Sequence, residues 1–301
     1  MSESVANVAI LGLGLIGGSL ARSLRESGFA GKVTGFGHRE PSLRRGLELG
    51  VIDAFTLDLD EVIATADILV ICTPTLVAED LLGAILPRTG AEGPVITDAA
   101  SVKGNLARAA MAAGGGIFPP RLVLGHPIAG SERSGVEASR ADLYRNHRVI
   151  LTPMPGNEPR AVELVRSMWR STGAEVIDME VRRHDAVLAA TSHLPHVLAY
   201  ALVDALAQSD SSDEIFRCAA GGFRDFTRIA SSDPVMWRDI ALANREALLE
   251  AIDLFSAHLG QLRAAVAGED AEGMHATFAR AKAARDEFAE ILAERNRSND
   301  P

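Results

Sequence analysis

The chain is 301 residues long, with 47% hydrophobic residues, 5% aromatic residues and a formal net charge of −10. This length and apolar content can fill one large hydrophobic core or two ordinary ones, and we expect two domains. The acidic balance argues against a nucleic-acid partner, which requires a basic face, and an anionic substrate would need a local cluster of arginines.

Two further properties of the sequence restrict where the protein works. Residues 1–7 are not basic and are followed by no signal-type cleavage pattern, and no apolar run approaches the roughly 20 residues of a membrane span. Cys72 and Cys218 are far apart and lack a metal-ligand spacing, which is typical of free thiols in a reducing compartment. We therefore expect a cytoplasmic protein with no membrane partner.

The first informative stretch is a glycine motif near the amino terminus. Residues 8–11 form a short apolar run, Gly12-x-Gly14-x-x-Gly17 follows directly, and residues 19–26 have a helical pattern. In a dinucleotide-binding turn the first glycine forms the tight turn, the second admits a pyrophosphate and the third lets helix and strand pack closely. We predict that these glycines bind a cofactor together with Leu15 and Ile16. The alternative is a structural turn without a cofactor.

The end of the second predicted strand bears on the choice of cofactor. An NAD-binding fold usually has an acidic residue about 20 positions after the last glycine, bonded to the ribose hydroxyls. That position is a glycine here, and it is followed by His38 and Arg39. An arginine can bind a 2′-phosphate with its planar fork, although an arginine next to an acid such as Glu40 can also be simply solvated. The sequence favours NADP over NAD, with Arg44 and Arg45 as further candidate ligands, and NAD stays open.

Strand and helix patterns then alternate up to residue 179. The apolar runs predict strands at residues 32–36, 68–72, 94–97, 121–124, 148–152 and 174–179, and the intervening patterns predict helices at residues 41–49, 77–86 and 159–171. Alternation at this spacing is typical of an α/β protein with a doubly wound parallel sheet of the Rossmann type. We assign residues 1–179 to a dinucleotide-binding domain.

Several polar residues follow the predicted strands. Because ligands bind outside the carboxyl ends of the strands in such sheets, residues at these ends should line one crevice. They are Thr73, Pro74, Asp98, Ser101 and His126. We predict that Thr73, Pro74 and Ser101 contact the cofactor.

His126 is the candidate base of this crevice. It lies between Gly125, which permits a close backbone approach, and Pro127, which restricts His126 to extended conformations. A neutral imidazole suits proton transfer near neutral pH, and the alternative is a turn histidine with no catalytic role. Ser101 has two open interpretations, as a helix cap or as a hydroxyl that contacts substrate and His126. Lys103 is expected to be a solvated charge near the cofactor, and the alternative is a catalytic lysine.

From residue 180 the strand signals disappear and long helical patterns follow. Helices are predicted at residues 182–207, 212–229, 234–267 and 271–295, and Asp233-Pro234 is a typical helix start. One face of the last helix is apolar and is formed by Met274, Phe278, Ala281, Phe288 and Leu292. This face either joins an intramolecular core or, as we expect, a homodimer interface. We assign residues 180–301 to an all-α domain for substrate binding and dimerisation.

Two clusters in the helical half carry chemically active side chains. His193 and His196 are three residues apart and share a helix face. No carboxylate or cysteine accompanies them at a clear ligand spacing, so we expect no metal and favour anion-binding or structural roles. Arg224 and Arg228 follow a pair of glycines and could bind a carboxylate, and the alternative is that they are solvated and paired with Asp225.

Five motifs occur in a fixed order along the chain: LGLGLIGGSL, DAASVK, LGHPIAGSERSG, SHLPH and FRDFTRIASSDPVMW. In this combination the sequence resembles the prephenate dehydrogenase family, which includes arogenate and cyclohexadienyl dehydrogenases of tyrosine biosynthesis. The resemblance covers nearly the whole chain. It implies oxidative decarboxylation of a cyclohexadienyl dicarboxylate to an aromatic product, with hydride transfer to NAD or NADP. Prephenate and arogenate both stay open as substrates.

The resemblance also implies roles for residues in these motifs. His126 would accept the proton of the ring hydroxyl, with Ser101 hydrogen-bonded to it and to the substrate. The residues around the substrate carboxylates would be His196 and Arg228 as ligands, with His193 and Trp237 nearby.

The polar loop at residues 130–135 is expected to border the active site, with Ser131 against the substrate. By the resemblance, Glu132 and Asp225 could pair with arginines or gate the site.

Two other functions stay open. A different two-domain hydroxyacid dehydrogenase would be expected to use a lysine in the helical half, where no lysine occurs between Lys103 and Lys282. A dinucleotide-sensing protein without catalysis would need neither His126 nor a buried arginine.

Overall fold

The computed structural model describes residues 4–131 and 133–298. The described residues form an eight-stranded sheet whose strands are β1 Val5–Leu11, β2 Ala30–Phe36, β3 Ala54–Thr56, β4 Ile68–Ile71, β5 Val95–Asp98, β6 Leu122–Pro127, β7 Arg148–Thr152 and β8 Glu175–Asp178. Residues up to Arg245 belong to one compact unit and residues from Glu246 to a second. The predicted boundary at residues 179 and 180 lies within the first unit, where the last strand ends and the helices of the carboxyl-terminal half begin.

The sheet is doubly wound around its amino-terminal strand. Its order is β3-β2-β1-β4-β5-β6-β7-β8, and β1 to β6 run parallel. The central strands β1 and β4 are buried on both faces, as expected of parallel strands with helices on both sides. These helices are α1 Leu15–Glu26, α2 Glu40–Glu48, α3 Leu59–Thr65, α4 Thr75–Ile85, α5 Gly104–Ala113 and α6 Pro159–Ser171. The predicted Rossmann-type fold is confirmed.

One strand runs against the predicted direction. β7 pairs with β6 antiparallel, with His126 opposite Ile150, and β8 pairs with β7 parallel. The described part of residues 128–147 contains a short 3₁₀ turn, Val136–Ala138, and no crossover helix. A parallel neighbour would require such a crossover, whereas an antiparallel neighbour does not. β6 also continues beyond residues 121–124, so His126 lies inside a strand and not past its end.

A π-helical turn interrupts the first long helix of the carboxyl-terminal half. α7 covers Val181–Leu188, the π turn covers Ala189–His193 and α8 covers Leu194–Ala207, where the sequence predicted one helix over residues 182–207. Pro195 has no backbone N–H and cannot donate to the carbonyl one turn earlier, which favours a wider local hydrogen-bond pattern. Turns of this kind are often found at functional sites.

The next two predicted helices are also divided. Residues 212–229 contain α9 Ser212–Cys218, α10 Gly221–Thr227 and the start of a 3₁₀ turn, Arg228–Ser231. Residues 234–267 contain α11 Pro234–Ala243 and α12 Arg245–Ala267, which are separated at Asn244. The predicted start of α11 is confirmed, because the Asp233 carboxylate accepts hydrogen bonds from the first-turn amides of this helix.

The second compact unit contains nearly all of α12 and the last helix, α13 Ala271–Ser298. Large apolar side chains are exposed along both helices, including Leu254, Leu259, Phe278, Phe288 and Ile291. Phe278 and Phe288 belong to the predicted apolar face of the last helix, and each is at least 50% exposed. These two phenylalanines therefore do not form part of a core within the described residues.

Candidate active site

The glycine turn between β1 and α1 forms an open cradle. Gly12 has a φ of +102°, and a Cβ at this position would lie 2.9 Å from the Cys72 backbone. A Cβ at Gly17 would lie 2.2 Å from the Gly12 carbonyl oxygen, whereas a Cβ at Gly14 would have no atom of the chain within 4 Å. Gly14 is also the residue that precedes α1, and no side-chain hydrogen bond caps this helix. The space and the helix amides fit the pyrophosphate of a dinucleotide.

Thr73 lies beside this cradle, at the carboxyl end of β4. Its Oγ1 is buried and has no hydrogen-bond partner among the described residues. Pro74 follows and precedes α4. A buried hydroxyl without a partner is costly, and a cofactor atom here would satisfy it.

The arginines after β2 differ in their surroundings. Arg44 contacts Glu40 at 2.5 Å, and Arg45 contacts Glu48 at 3.1 Å and Glu137 at 3.3 Å. Arg39 and its neighbour His38 are exposed, and Arg39 forms no ion pair with the residues that the structure describes. Carboxylates therefore already neutralise two of the three guanidinium groups that were candidates for a 2′-phosphate.

His126 is buried in β6 and is hydrogen-bonded to a second histidine. Its Nδ1 lies 2.9 Å from Nε2 of His184, and Nδ1 of His184 lies 2.8 Å from Oδ1 of Asp185. The Asp185 carboxylate also accepts hydrogen bonds from the backbone amides of Lys103 at 2.9 Å and Gly104 at 2.7 Å. His184 and Asp185, both on α7, thus connect the candidate base to the first turn of α5.

This chain of hydrogen bonds determines where the protons lie. Burial alone would raise the pKa of Asp185, but the bonds from His184 and the two backbone amides outweigh it and hold that pKa below its ordinary value. An ionised Asp185 can only accept, so His184 donates from Nδ1 and accepts at Nε2. His126 must then donate from Nδ1, which leaves its Nε2 as the unprotonated nitrogen.

The electrostatic surroundings keep His126 neutral. Burial is the largest cause that lowers the pKa of His126 well below its ordinary value, and the nearby His184 and Lys103 lower it further. Burial likewise lowers the pKa of His184, although the bond to Asp185 partly offsets this. At neutral pH the unprotonated Nε2 is therefore available to accept a proton.

Lys103 was expected to be solvated, and this prediction is wrong. Its side chain is fully buried, and Nζ forms an ion pair with Asp98 and donates to the Gly125 carbonyl at 2.6 Å. Asp98 in turn accepts from the Gly125 amide at 3.1 Å. The pair holds both backbone groups of the residue that precedes His126. Removing one partner of such a pair typically costs about 3–5 kcal/mol, because the other charge stays buried.

Ser101 neither caps α5 nor hydrogen-bonds to His126 in the described structure. It is partly buried, and no hydrogen bond joins it to His126 among the described residues. It does not cap α5, because that helix begins at Gly104 and Asp185 accepts its first amide hydrogen. A carboxylate from a distant element thus takes the place expected for the local hydroxyl. Contact of Ser101 with substrate stays a prediction.

A second group of rings is formed by His193 at the end of the π turn, His196 on α8 and Trp237 on α11. Trp237 stacks on His196 with ring centroids 3.5 Å apart and meets His193 edge-on at 6.2 Å. Nε2 of His193 and Nε1 of Trp237 are buried without a partner among the described residues. Nδ1 of His196 donates to the Ser192 carbonyl at 2.9 Å. The structure thus brings together three of the predicted substrate-binding residues.

Arg228 lies close enough to this ring group to affect the pKa of His196. Burial is the largest cause that lowers the pKa of His196, and the positive charge of Arg228 lowers it further. Arg228 begins the 3₁₀ turn that follows α10. The hydroxyl of Tyr200 on α8 donates to the carbonyl of Ser232 at 2.7 Å and so ties the end of this turn to α8.

The remaining predicted substrate contacts lie at the surface or outside the described residues. Asp225 is exposed and contacts Arg224 at 3.3 Å, which matches the solvated pair considered from the sequence. Ser131 is exposed, and its hydroxyl accepts from the Arg133 amide at 3.2 Å. Glu132 lies outside the described residues. No group of three metal-ligating side chains occurs in the described parts of the chain.

Two models of one family match the chain. The model described as prephenate dehydrogenase, nucleotide-binding domain, matches residues 20–178, and prephenate dehydrogenase, dimerization domain, matches residues 180–280. The chain belongs to the prephenate dehydrogenase family.

Individual members of this family are similar over nearly the full chain. A cyclohexadienyl dehydrogenase of Zymomonas mobilis is 34% identical over 93% of this chain and 94% of its own. The crystal structure of prephenate dehydrogenase from A. aeolicus in complex with hydroxyphenyl propionate and NAD+ has a TM-score of 0.88 and 37% identity, and it covers 96% of this chain and 100% of that chain. Synechocystis arogenate dehydrogenase has a TM-score of 0.78 at 28% identity, covering 94% and 99%.

Three polar residues of the site in this prephenate dehydrogenase family member were not predicted from the sequence. His184 and Asp185 contact the candidate base, and Asn244 contacts His193. An adjacent histidine and aspartate near the start of a helix, close to the predicted domain boundary, is the one signal that could have suggested the first two. Asn244 gave no signal, because its role depends on a break between two helices.

The glycine turn predicts different effects for two matched substitutions. We expect Gly14→Ala to keep the fold, because its Cβ meets nothing, and to weaken dinucleotide binding about tenfold or more by occupying the pyrophosphate space. Gly17→Ala forces a contact with backbone and should destabilise the fold by about 1–3 kcal/mol. Thermal unfolding and NADH fluorescence titration measure the two effects. Normal cofactor binding by Gly14→Ala would contradict the assignment of the cradle.

Proposed function

We propose that this chain catalyses the oxidative decarboxylation of prephenate, arogenate or both, giving 4-hydroxyphenylpyruvate or tyrosine, in tyrosine biosynthesis. The observation that carries the proposal is the hydrogen-bonded series Asp185, His184 and His126, which leaves an unprotonated imidazole nitrogen at a sheet that also carries the dinucleotide cradle. Family membership supports the same reaction.

The reaction needs one base and little other chemical assistance. When bound, the nicotinamide cofactor supplies the hydride acceptor for the ring carbon that carries the hydroxyl. His126 accepts the hydroxyl proton at Nε2 as the C–H bond breaks, a contribution of about 10²–10⁴-fold to the rate. The ring carboxylate then leaves as carbon dioxide, its bonding electrons make the ring an aromatic phenolate, and His126 returns the proton from Nε2 to the phenolate oxygen.

His184 and Asp185 act as positioning residues for this proton transfer. They hold His126 in the tautomer that has its free lone pair on Nε2. As His126 becomes positive, the Asp185 carboxylate stabilises that charge through His184. Lys103 acts in the opposite direction and keeps His126 neutral until the substrate proton arrives.

The substrate carboxylates are held by the helical half of the chain. We assign this role to His196 and Arg228, which lie close together, with His193 and Trp237 beside them. An arginine fork is suited to a carboxylate. Ser101 and Ser131 stay as further substrate contacts, and the exposed Asp225 and Glu132, the latter outside the described residues, stay as gating residues.

The cofactor site accepts NAD, in line with the nucleotide-binding family model and with the relative that was solved with NAD+. A preference for NADP rests mainly on Arg39, with His38 beside it, because Arg44 and Arg45 are paired with carboxylates. We assign dinucleotide binding to residues 1–179, and substrate binding and dimerisation to residues 180–301. We assign the enzyme to the cytoplasm.

A two-by-two assay tests substrate and cofactor together. Prephenate and arogenate are each combined with NAD+ and NADP+, and nicotinamide absorbance is followed. We expect turnover of at least one substrate, and we expect Arg39→Ala to raise KM for NADP+ about tenfold while NAD+ is unaffected. Absence of turnover with both substrates would overturn the proposed reaction. An equal effect of Arg39→Ala on both cofactors would remove it from the phosphate site.

Substitutions of the base, His126, and of its supporting histidine, His184, are expected to have different effects. His126→Asn should bind cofactor normally and lose about 10²–10⁴-fold in kcat. His184→Leu should lower kcat about 10- to 100-fold, whereas His184→Gln, whose amide oxygen can still accept from His126, should recover much of it. Equal losses in the Gln and Leu variants would show that His184 acts only through packing.

The pH profile gives a second readout for the same variants. Because burial lowers the pKa of His126, wild-type kcat/KM should be constant near neutral pH and should fall only as the pH drops well below 6.5. In His126→Asn this acidic limb should disappear. An acidic limb that persists unchanged in this variant would assign the titration to another group.

A homodimer would cover the exposed apolar surface of the helical half. The dimerization-domain model matches residues 180–280, and Phe278 and Phe288 on α13 are at least 50% exposed. By length and composition, the segment Val181–Ala207 would also qualify as a membrane span, with a mean hydropathy of 1.4. It carries His184, Asp185 and His193, however, so we assign its exposed apolar residues to a protein partner.

Light scattering after size-exclusion chromatography tests the dimer. We expect twice the chain mass of 31.9 kDa for the wild type and for the control Arg280→Glu, whose exposed side chain is not part of the apolar face of α13. The double substitution Phe278→Glu and Phe288→Glu should give a monomer, because charges on the apolar face cannot be buried without a large cost. A dimeric double variant would place the interface elsewhere.

A further inference from the structure

Asn244 is a buried polar residue that the proposed reaction does not use. It lies between α11 and α12, at a φ of −106° and a ψ of 33°, and it is 5% exposed. Its side-chain nitrogen Nδ2 lies 2.9 Å from the Asp185 carbonyl oxygen and 3.0 Å from Nδ1 of His193. One amide group therefore joins the residue that orients His184 to the ring group around Trp237.

The chemistry of these partners fixes the direction of both hydrogen bonds. A backbone carbonyl can only accept, so the atom that faces it must be the amide nitrogen and not the amide oxygen. This nitrogen has a second hydrogen, which it donates to Nδ1 of His193. In a neutral imidazole whose Nδ1 accepts, the proton must be on Nε2. Protonation of Nδ1 would set two N–H groups against each other.

Burial also keeps the ring of His193 neutral. His193 is 1% exposed. Burial lowers its pKa to about 4, and the attraction of Asp185 offsets this only in part. At neutral pH the ring can therefore donate from Nε2 and cannot accept there.

The donor at Nε2 has no acceptor in the described structure, and neither does a second donor close by. Nε2 of His193 and Nε1 of Trp237 are both buried without partners, and the two rings meet edge-on at 6.2 Å. An indole nitrogen can also only donate. Unpaired buried donors are unfavourable, so this ring group is matched to a ligand that brings acceptor oxygens.

We propose that Asn244 is a positioning residue that holds His193 as an Nε2–H donor, and that the His193–Trp237 ring group accordingly binds a carboxylate or carbonyl oxygen of the substrate and rejects an ammonium group. The ligand part of this inference rests on the proposed function, because it concerns the substrate side of the same site. The tautomer part concerns the ligand-free protein and is independent of it.

Nitrogen-15 NMR of histidine-labelled protein tests the tautomer. The chain has eight histidines, and His193→Gln identifies the signals of His193. We expect His193 to carry its proton on Nε2 and to remain neutral from pH 8 to pH 5. Asn244→Asp, which cannot donate, should move the proton to Nδ1 and raise the pKa of the ring. The signals of the exposed His258 and His275 should not move.

Asn244→Ala provides a second variant if Asn244→Asp folds poorly. It removes the donor without adding charge, and we expect the single tautomer of His193 to become a mixture. A wild-type ring protonated on Nδ1, or a tautomer unchanged in the folded variants, would overturn the role of Asn244.

Two small probes test the ligand part without turnover. The acid 3-(4-hydroxyphenyl)propionate presents acceptor oxygens, and tyramine presents an ammonium group on a similar phenol. We expect the acid to shift the His193 Nε2 proton and to bind about tenfold or more tightly than tyramine. Equal binding, or no shift at His193, would overturn the ligand assignment. Failure of the proposed reaction would be seen separately, as no oxidation of either cyclohexadienyl substrate.

The proposed role of Asn244 also predicts a kinetic effect that a purely structural role would not predict. In Asn244→Asp we expect KM for the cyclohexadienyl substrate to rise about tenfold while kcat changes less than about threefold. The acidic limb of the pH profile belongs to His126 and should stay in place. A loss confined to kcat would assign Asn244 to the proton transfer and overturn this role.

Discussion

The rest of the site depends on the hydrogen bonds that Asp185 accepts. Its carboxylate accepts hydrogen bonds from the first turn of α5 and from His184, and the carbonyl of the same residue accepts from Asn244. Asp185 thus fixes the position of α5, of the candidate base His126 and, through Asn244, of the ring group around Trp237. The positive end of the α5 dipole stabilises the negative charge that this arrangement requires.

The protonation of His126 is set by Lys103 and Asp185, two buried groups of opposite charge that act from different sides. Lys103 and Asp98 hold the backbone before it, and His184 and Asp185 hold its ring. Before proton transfer the lysine favours the neutral imidazole, and after it the aspartate stabilises the cation. A base in such a balance can both accept a proton and release it. The cost is a set of buried ionic groups that must all be satisfied at once.

The parts of the molecule that depend on local rules could be predicted from the sequence. The glycine turn, the parallel strands and the strand-end position of Thr73 follow from spacing alone, and so does the Asp233 cap of α11. The contacts of Asp185 could not be predicted, because its partners on α5 are about 80 positions away and meet it only through the docking of α7. The burial of Lys103 depends on its contacts with Asp98 and Gly125 on neighbouring strands, which the local pattern does not show. The direction of β7 is reversed because the described part of residues 128–147 contains no crossover helix, and hydrophobic periodicity does not predict the direction of a strand.

The π turn at Ala189–His193 places a limit on how this chain can change in length. It lies between His184, which meets the base, and His196, which meets Trp237. Each residue of a helix rotates the following residues by about 100°. Deleting one residue from the regular helical turns on either side of the π turn would therefore turn His196 away from Trp237, even though every functional side chain were kept, whereas a deletion inside the π turn would convert it to regular α-helix. The number of residues in these flanking turns is therefore under the same constraint as their identities.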